Sequence, residues 1–96
     1  MDEQQIQAKI LKYLKSIGAY TIKTIVSNRK GIPDIIACID GNFYAFEIKT
    51  NKGKVSPLQE YELSKIKRAG GISSLVRNVE DIKTLMQKNT NKLGKV

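Results

Sequence analysis

Histidine is absent from the 96 residues of this chain. That excludes Ser-His-Asp and Cys-His catalysis, zinc sites built on histidine, and any mechanism with a histidine general base. Cysteine occurs once, so no disulfide can form within the chain. Cys38 lies in the apolar run Ile35-Ile36-Ala37-Cys38-Ile39, which predicts a buried packing role for it. There is no Walker-type glycine loop, and no apolar run approaches the roughly 18 residues that span a bilayer. The opening Met-Asp-Glu-Gln-Gln is acidic and polar, unlike a secretory signal. The expectation is a cytoplasmic protein without a membrane partner, in which carboxylates and lysine carry any chemistry.

What the chain has in excess is positive charge: 17 Lys and Arg against 9 Asp and Glu, a formal net charge of +8. In so short a chain this favours a polyanionic partner, because each phosphate contact by Lys or Arg releases condensed counterions. A merely solvated basic surface would give the same count, so the charge must be read together with a site. The length suits one domain, expected over residues 1–88, followed by a basic flexible tail over 89–96. A core this thin makes a partner subunit plausible, since a chain of this size buries only about 60–70% of its unfolded surface.

Ile6, Ile10, Tyr13, Leu14 and Ile17 recur at steps of three and four, which predicts an amphipathic helix over 3–17 that stops at Gly18. The β-branched stretch 20–26 predicts a strand, and the loop Ser27 to Pro33 follows it. Two further strands, 34–39 and 43–50, flank Asp40-Gly41-Asn42, a strong hairpin signal. After a polar, basic loop over 51–56, Ser56 as N-cap and Pro57 at the first helical position begin a helix that reaches about Ala69. Gly70-Gly71 ends it, a short strand covers 72–76, and Asn78 caps a last helix from 79 to about 88. The fold class is α/β, in the order α-β-β-β-α-β-α.

Side chains alternate along a strand, so Glu47 and Lys49 share one face while Phe46 and Ile48 share the other. If Asp40-Gly41 is a two-residue turn, Ile39 faces Asn42 and Asp34 lies directly opposite Glu47. Their Cβ atoms then stand about 4.5–5.5 Å apart. A three-residue loop would break that parity. Two carboxylates so close repel each other unless a cation sits between them, and Mg²⁺ commonly takes one or two carboxylates together with waters and substrate phosphate. Lys49 beside such an ion could orient an attacking water and offset charge building on a phosphate, which points to phosphodiester hydrolysis. Glu3 falls at the end of the first helix's apolar stripe. There it either joins that acidic site or, with Asp2, favours the positive end of the helix. Gln59 either closes a capping box with Ser56 or reaches a metal-bound water or a substrate phosphate. Arg29, Lys30, Lys52 and Lys54 flank the site as candidate phosphate contacts, with Ser56 beside them. Tyr44, Phe46 and Tyr61 read as core residues.

The string Gly31-Ile32-Pro33-Asp34, followed after twelve residues by Glu47-Ile48-Lys49, resembles the signature of the PD-(D/E)xK nucleases. With Glu3-Gln4-Gln5-Ile6-Gln7, Arg29, the segment Gly53 to Gln59 and the Gly70-Gly71 turn, the chain is similar to the VRR-NUC family over residues 3–82. Holliday-junction resolvases share a similar layout. The resemblance implies a restriction-endonuclease-like core, a mixed β-sheet flanked by helices. It further implies that Asp34 and Glu47 bind Mg²⁺ or Mn²⁺ with the backbone carbonyl of Ile48 as a further ligand, and that Glu3 completes the acidic cluster. Lys49 would position the nucleophilic water, and Gln59 matches the family's glutamine on the second core helix. The implied function is a metal-dependent, structure-selective DNA endonuclease acting on branched DNA such as Holliday junctions. A homodimer would set two such sites at a fixed separation. The alternatives are a non-specific or restriction-like nicking endonuclease and a non-catalytic basic nucleic-acid-binding module.

Overall fold

The computed structural model describes residues 1–93. Its elements are α1 (Glu3–Ser16), β1 (Tyr20–Lys23), β2 (Ile35–Ile39), β3 (Asn42–Ile48), α2 (Pro57–Arg68), β4 (Ile72–Val76) and α3 (Val79–Leu93). The four strands form one mixed sheet in the order β1-β2-β3-β4, antiparallel across the first three and parallel between β3 and β4. This is the α/β order that the sequence pattern predicts, with helices on both faces of the sheet.

Alternation along the strands assigns the two faces. Ile35, Ala37 and Ile39 of β2, Tyr44, Phe46 and Ile48 of β3, and Val76 of β4 share one face. They form a single core with Ile6, Ile10 and Leu14 of α1 and Ile82 of α3. Burying each such aliphatic side chain contributes about 1.5–3 kcal/mol, so this layer is the main source of stability. Helix α1 begins in a capping box, Asp2 accepting from the Gln5 amide while the Gln5 side chain accepts from Asp2. Ile17, included in the apolar stripe, is instead the exposed C-cap.

On the opposite face, α2 covers β3 and β4, where the Ser73 hydroxyl donates to the Leu63 carbonyl. Nothing among the described residues covers the β1–β2 side of that face. Cys38 is therefore exposed, contrary to the packing role its apolar run suggests: Ile35, Ala37 and Ile39 take the core side, and Cys38 points the other way. Tyr61, read as core, is exposed on α2 with the Lys65 ammonium 5.5 Å above its ring. Strand β1 ends at Lys23, leaving Ile25 and Val26 exposed. Helix α3 runs to Leu93, five residues beyond the expected end, and residues 94–96 of the expected tail lie outside the described residues.

Asp40 and Gly41 both have positive φ, 50° and 82°, as a two-residue type I′ turn requires, and Ile39 pairs with Asn42. The segment 27–33 that leads into β2 is tied down on α2. Gly31 has φ 82°, and a Cβ there would lie 2.7 Å from Leu58 Cγ and 3.2 Å from its backbone. Replacing Gly31 with Ala combines a disfavoured left-handed backbone with overpacking, and should cost about 2–4 kcal/mol. Chemical denaturation tests this; an unchanged midpoint would contradict the close packing of this loop on α2.

Candidate active site

The hairpin register carries the site. Each β2 residue pairs with a β3 residue as far as Ile35↔Phe46, and Asp34, one residue before that last pair, lies close enough to Glu47 for the two carboxyls to act on each other. Asp34 precedes β2, yet its backbone is held on both sides. Its N–H donates to the Phe46 carbonyl at 2.9 Å, and its carbonyl accepts from the Thr24 N–H at 2.9 Å. Pro33 before it favours an extended approach and removes a competing donor. One carboxylate oxygen of Asp34, Oδ2, accepts the Ile48 N–H at 2.8 Å, which turns the side chain toward the end of β3.

Glu47 sits on a central strand beneath α2 and is only 2% exposed. Its Oε2 accepts from Gln59 Nε2 at 3.3 Å and faces Lys49 Nζ at 3.8 Å. Its Oε1 is buried without a hydrogen-bond partner. A single ion pair at that distance is worth about 4 kcal/mol at an effective dielectric near 20, whereas burying a carboxylate costs several kcal/mol before any repulsion from Asp34. Lys49 is therefore outweighed. The Glu47 carboxyl is pushed up to about 8, first by burial, then by the neighbouring Asp34 carboxylate and the negative charge of Glu3, against the opposing pull of Lys49.

Gln59 closes the capping box and also reaches Glu47. Its Oε1 accepts the Ser56 N–H at 2.9 Å while Ser56 Oγ accepts the Gln59 N–H at 3.1 Å, completing the capping box. Its Nε2 is then free to reach Glu47. Glu3, expected at the end of the buried stripe, is exposed in the first turn of α1, and its charge is felt at Glu47. No group of three acidic or other ligating side chains is close enough to hold a metal among the described residues. Asp34 and Glu47 are the pair that could share a cation, and the unpartnered Oε1 fits that use.

Lys30, Lys52, Lys54 and Ser56 are exposed. Arg29 is half-exposed and already engaged, its Nη2 donating to Glu62 Oε1 at 2.9 Å. Glu62 is buried, and the sequence reading missed it. The available signal was helical spacing: Glu62 lies three residues after Gln59, on the same face of α2. Arg77, also missed, donates through Nη1 to the carbonyls of Thr50 and Gly53.

The model of the archaeal Holliday junction resolvase (Hjc) family matches residues 4–86. Among solved structures, one described as a VRR_NUC domain is 21% identical with a TM-score of 0.76, over 88% of this chain and 94% of the other. Another, described as a VRR_NUC domain protein, is 15% identical with a TM-score of 0.77, over 92% of this chain and 87% of the other. No curated protein matches the chain.

The raised Glu47 carboxyl has a consequence for stability in the absence of metal. Between its ordinary value of 4.5 and about 8, the folded state holds a proton that the unfolded state has released. Stability from this group is thus fully present below about 4.5 and is lost as pH rises through about 8. The melting temperature in EDTA should fall from pH 5 to pH 8.5, and Glu47→Gln should flatten that slope. An equally steep slope in the variant would assign the effect to another group.

Proposed function

The chain belongs to the archaeal Holliday junction resolvase family, and from that premise we propose that this nuclease is a divalent-metal-dependent endonuclease that nicks branched DNA at four-way junctions. The observation that carries the metal dependence is the carboxylate pair: half-buried Asp34 beside buried Glu47, with one Glu47 oxygen left without a partner among the described residues. A binding module would have no use for two facing carboxylates beside a polyanion.

Asp34 and Glu47 would hold Mg²⁺ or Mn²⁺, with the Ile48 carbonyl as a further ligand. The ion would act as a Lewis acid toward the phosphodiester and lower the pKa of water. The chain's own residues do the rest. The Ile48 N–H fixes the Asp34 carboxylate, so that one oxygen is committed and the other is available. Gln59 steers Glu47 by holding Oε2. Lys49, on the same face as Glu47, orients the attacking water and offsets charge that accumulates on the phosphate. Glu3 adds negative charge at the rim, where Glu47 senses it.

Lys30, Lys52, Lys54 and Ser56 are exposed around this face and are assigned to phosphate contacts. Arg29 has donors beyond the one given to Glu62, so it can bridge the protein and a phosphate. A net charge of +8 supports a polyanionic substrate. One site cuts one strand, so a two-fold homodimer would present two sites to the two continuous strands of a junction. No helix among the described residues is long and apolar enough to cross a membrane.

The test is cleavage of a labelled four-way junction beside a matched linear duplex, in Mn²⁺, Mg²⁺ or EDTA. Wild type should cut the junction only with metal. Lys49→Ala should lower the rate by about 10²–10³-fold, as loss of a transition-state donor does, without weakening DNA binding to match. Equal cutting of both DNAs would remove the junction preference. Cutting in EDTA would remove the metal.

A further inference from the structure

Among the described residues, Lys49 has no short hydrogen bond to fix its head. Its one ionic partner among these residues, Glu47 Oε2, stands at 3.8 Å, beyond direct hydrogen-bonding distance. What locates the ammonium is therefore the course of its aliphatic stem, and that stem lies against backbone. A Cβ at Gly53 would come within 3.2 Å of Lys49 Cβ and 3.3 Å of Lys49 Cδ, so the glycine's bare Cα packs on the lysine along much of its length.

Gly53 closes a turn that folds back beside the strand it leaves. The Gly53 N–H donates to the Thr50 carbonyl at 3.1 Å, with exposed Asn51 and Lys52 at the tip. One such bond is a weak anchor for a polar surface loop. The remaining anchor is Arg77: its Nη1 donates to the Thr50 carbonyl and, at 2.9 Å, to the Gly53 carbonyl. Arg77 is itself fixed in place. The Lys49 N–H donates to the Val76 carbonyl at 3.1 Å, so β4 delivers Arg77 to the point where the chain leaves β3. Its own N–H donates to Asp81 Oδ2 at 2.8 Å, and the Asp81 N–H donates to Asn78 Oδ1 at 2.8 Å, which locks the start of α3 around it.

We infer that Arg77 is a positioning residue for the cleavage reaction: by clamping the Thr50–Gly53 turn it holds Gly53 against the Lys49 stem and so sets where the Lys49 ammonium stands. The inference rests on the role proposed above for Lys49. Arg77 does not touch the carboxylate pair. It acts two steps away, through carbonyls and a glycine, and its two acceptors call for the planar, multi-donor guanidinium rather than an ammonium.

The experiment uses the intact chain and three variants. Arg77→Met keeps the stem and removes the donors, Arg77→Lys retains one flexible donor group, and Gly53→Ala crowds the lysine directly. Each is assayed at a temperature where it is fully folded. The readouts are kcat and KM on a labelled four-way junction, and ¹³C relaxation of the Lys49 ε-methylene, assigned by its loss in Lys49→Met. In Arg77→Met, kcat should fall by about 10- to 100-fold, in the range of supporting interactions around metal sites. KM should stay within about twofold, and the Lys49 ε-methylene should become more mobile. Arg77→Lys should recover part of kcat. Gly53→Ala should lower kcat with KM preserved, and adding Arg77→Met to it should lower kcat less than the product of the two single effects. Wild-type kcat in Arg77→Met, unchanged Lys49 relaxation, or a loss seen only in KM would overturn the clamp. If the wild-type protein cuts no DNA, the nuclease reading fails, while the relaxation measurement still decides whether Arg77 restrains Lys49.

Discussion

The repulsion between Asp34 and Glu47 is the constraint around which the α2 side of the sheet is organised. The β2–β3 hairpin brings Asp34 close to Glu47, and burial of Glu47 removes the water that would otherwise screen its carboxylate. Each neighbouring contact reads as a partial answer. The Ile48 N–H takes one Asp34 oxygen, Gln59 and Lys49 share one Glu47 oxygen, and the other Glu47 oxygen is left over. A chain selected for stability alone would place an apolar pair here, as it does one residue along at Ile35 and Phe46. Local rules broken in this way, against an otherwise consistent fold, are the mark of a site kept for function.

Helix α2 gathers the site. Leu58, Gln59 and Glu62, all within its first six residues, meet Gly31, Glu47 and Arg29 respectively. One short helix thus positions the loop before Asp34, the buried glutamate and the arginine at the rim. The opposite face, with α1 and α3, supplies the apolar core and leaves the α2 face free to be polar. Division of labour between the faces of one sheet lets 96 residues tolerate a buried, unbalanced acid.

The core of the site was legible because it depends on parity. Side-chain alternation and the length of one turn are enough to expect Asp34 near Glu47 and Lys49 beside it, and the observed register follows that count as far as Ile35 and Phe46. Ser56 and Gln59 were legible as a capping box, though the second use of Gln59 needed the helix to lie on β3. The failures share a cause: they turn on which neighbour covers a residue, and a local pattern does not carry that. Cys38 sits in an apolar run, yet no helix among the described residues lies above its face. Tyr61 has a core residue's composition and a solvent-facing position. Arg29, read as a candidate phosphate contact, also has a protein partner that no local pattern carries, a buried glutamate 33 residues away. Arg77 had no local signal at all, because its carbonyl acceptors lie across a parallel strand pair, at Thr50 and Gly53.

Calorimetric titration of Mn²⁺ into the metal-free protein at pH 7, repeated in two buffers of different ionisation enthalpy, tests most directly whether the carboxylate pair is held for a cation. Because the Glu47 carboxyl titrates near 8 in the free protein, binding should release close to one proton per ion, and Glu47→Gln should abolish both binding and release. Binding with no proton released, or Mn²⁺ affinity unchanged in Glu47→Gln, would contradict this and leave the buried Glu47 without a purpose.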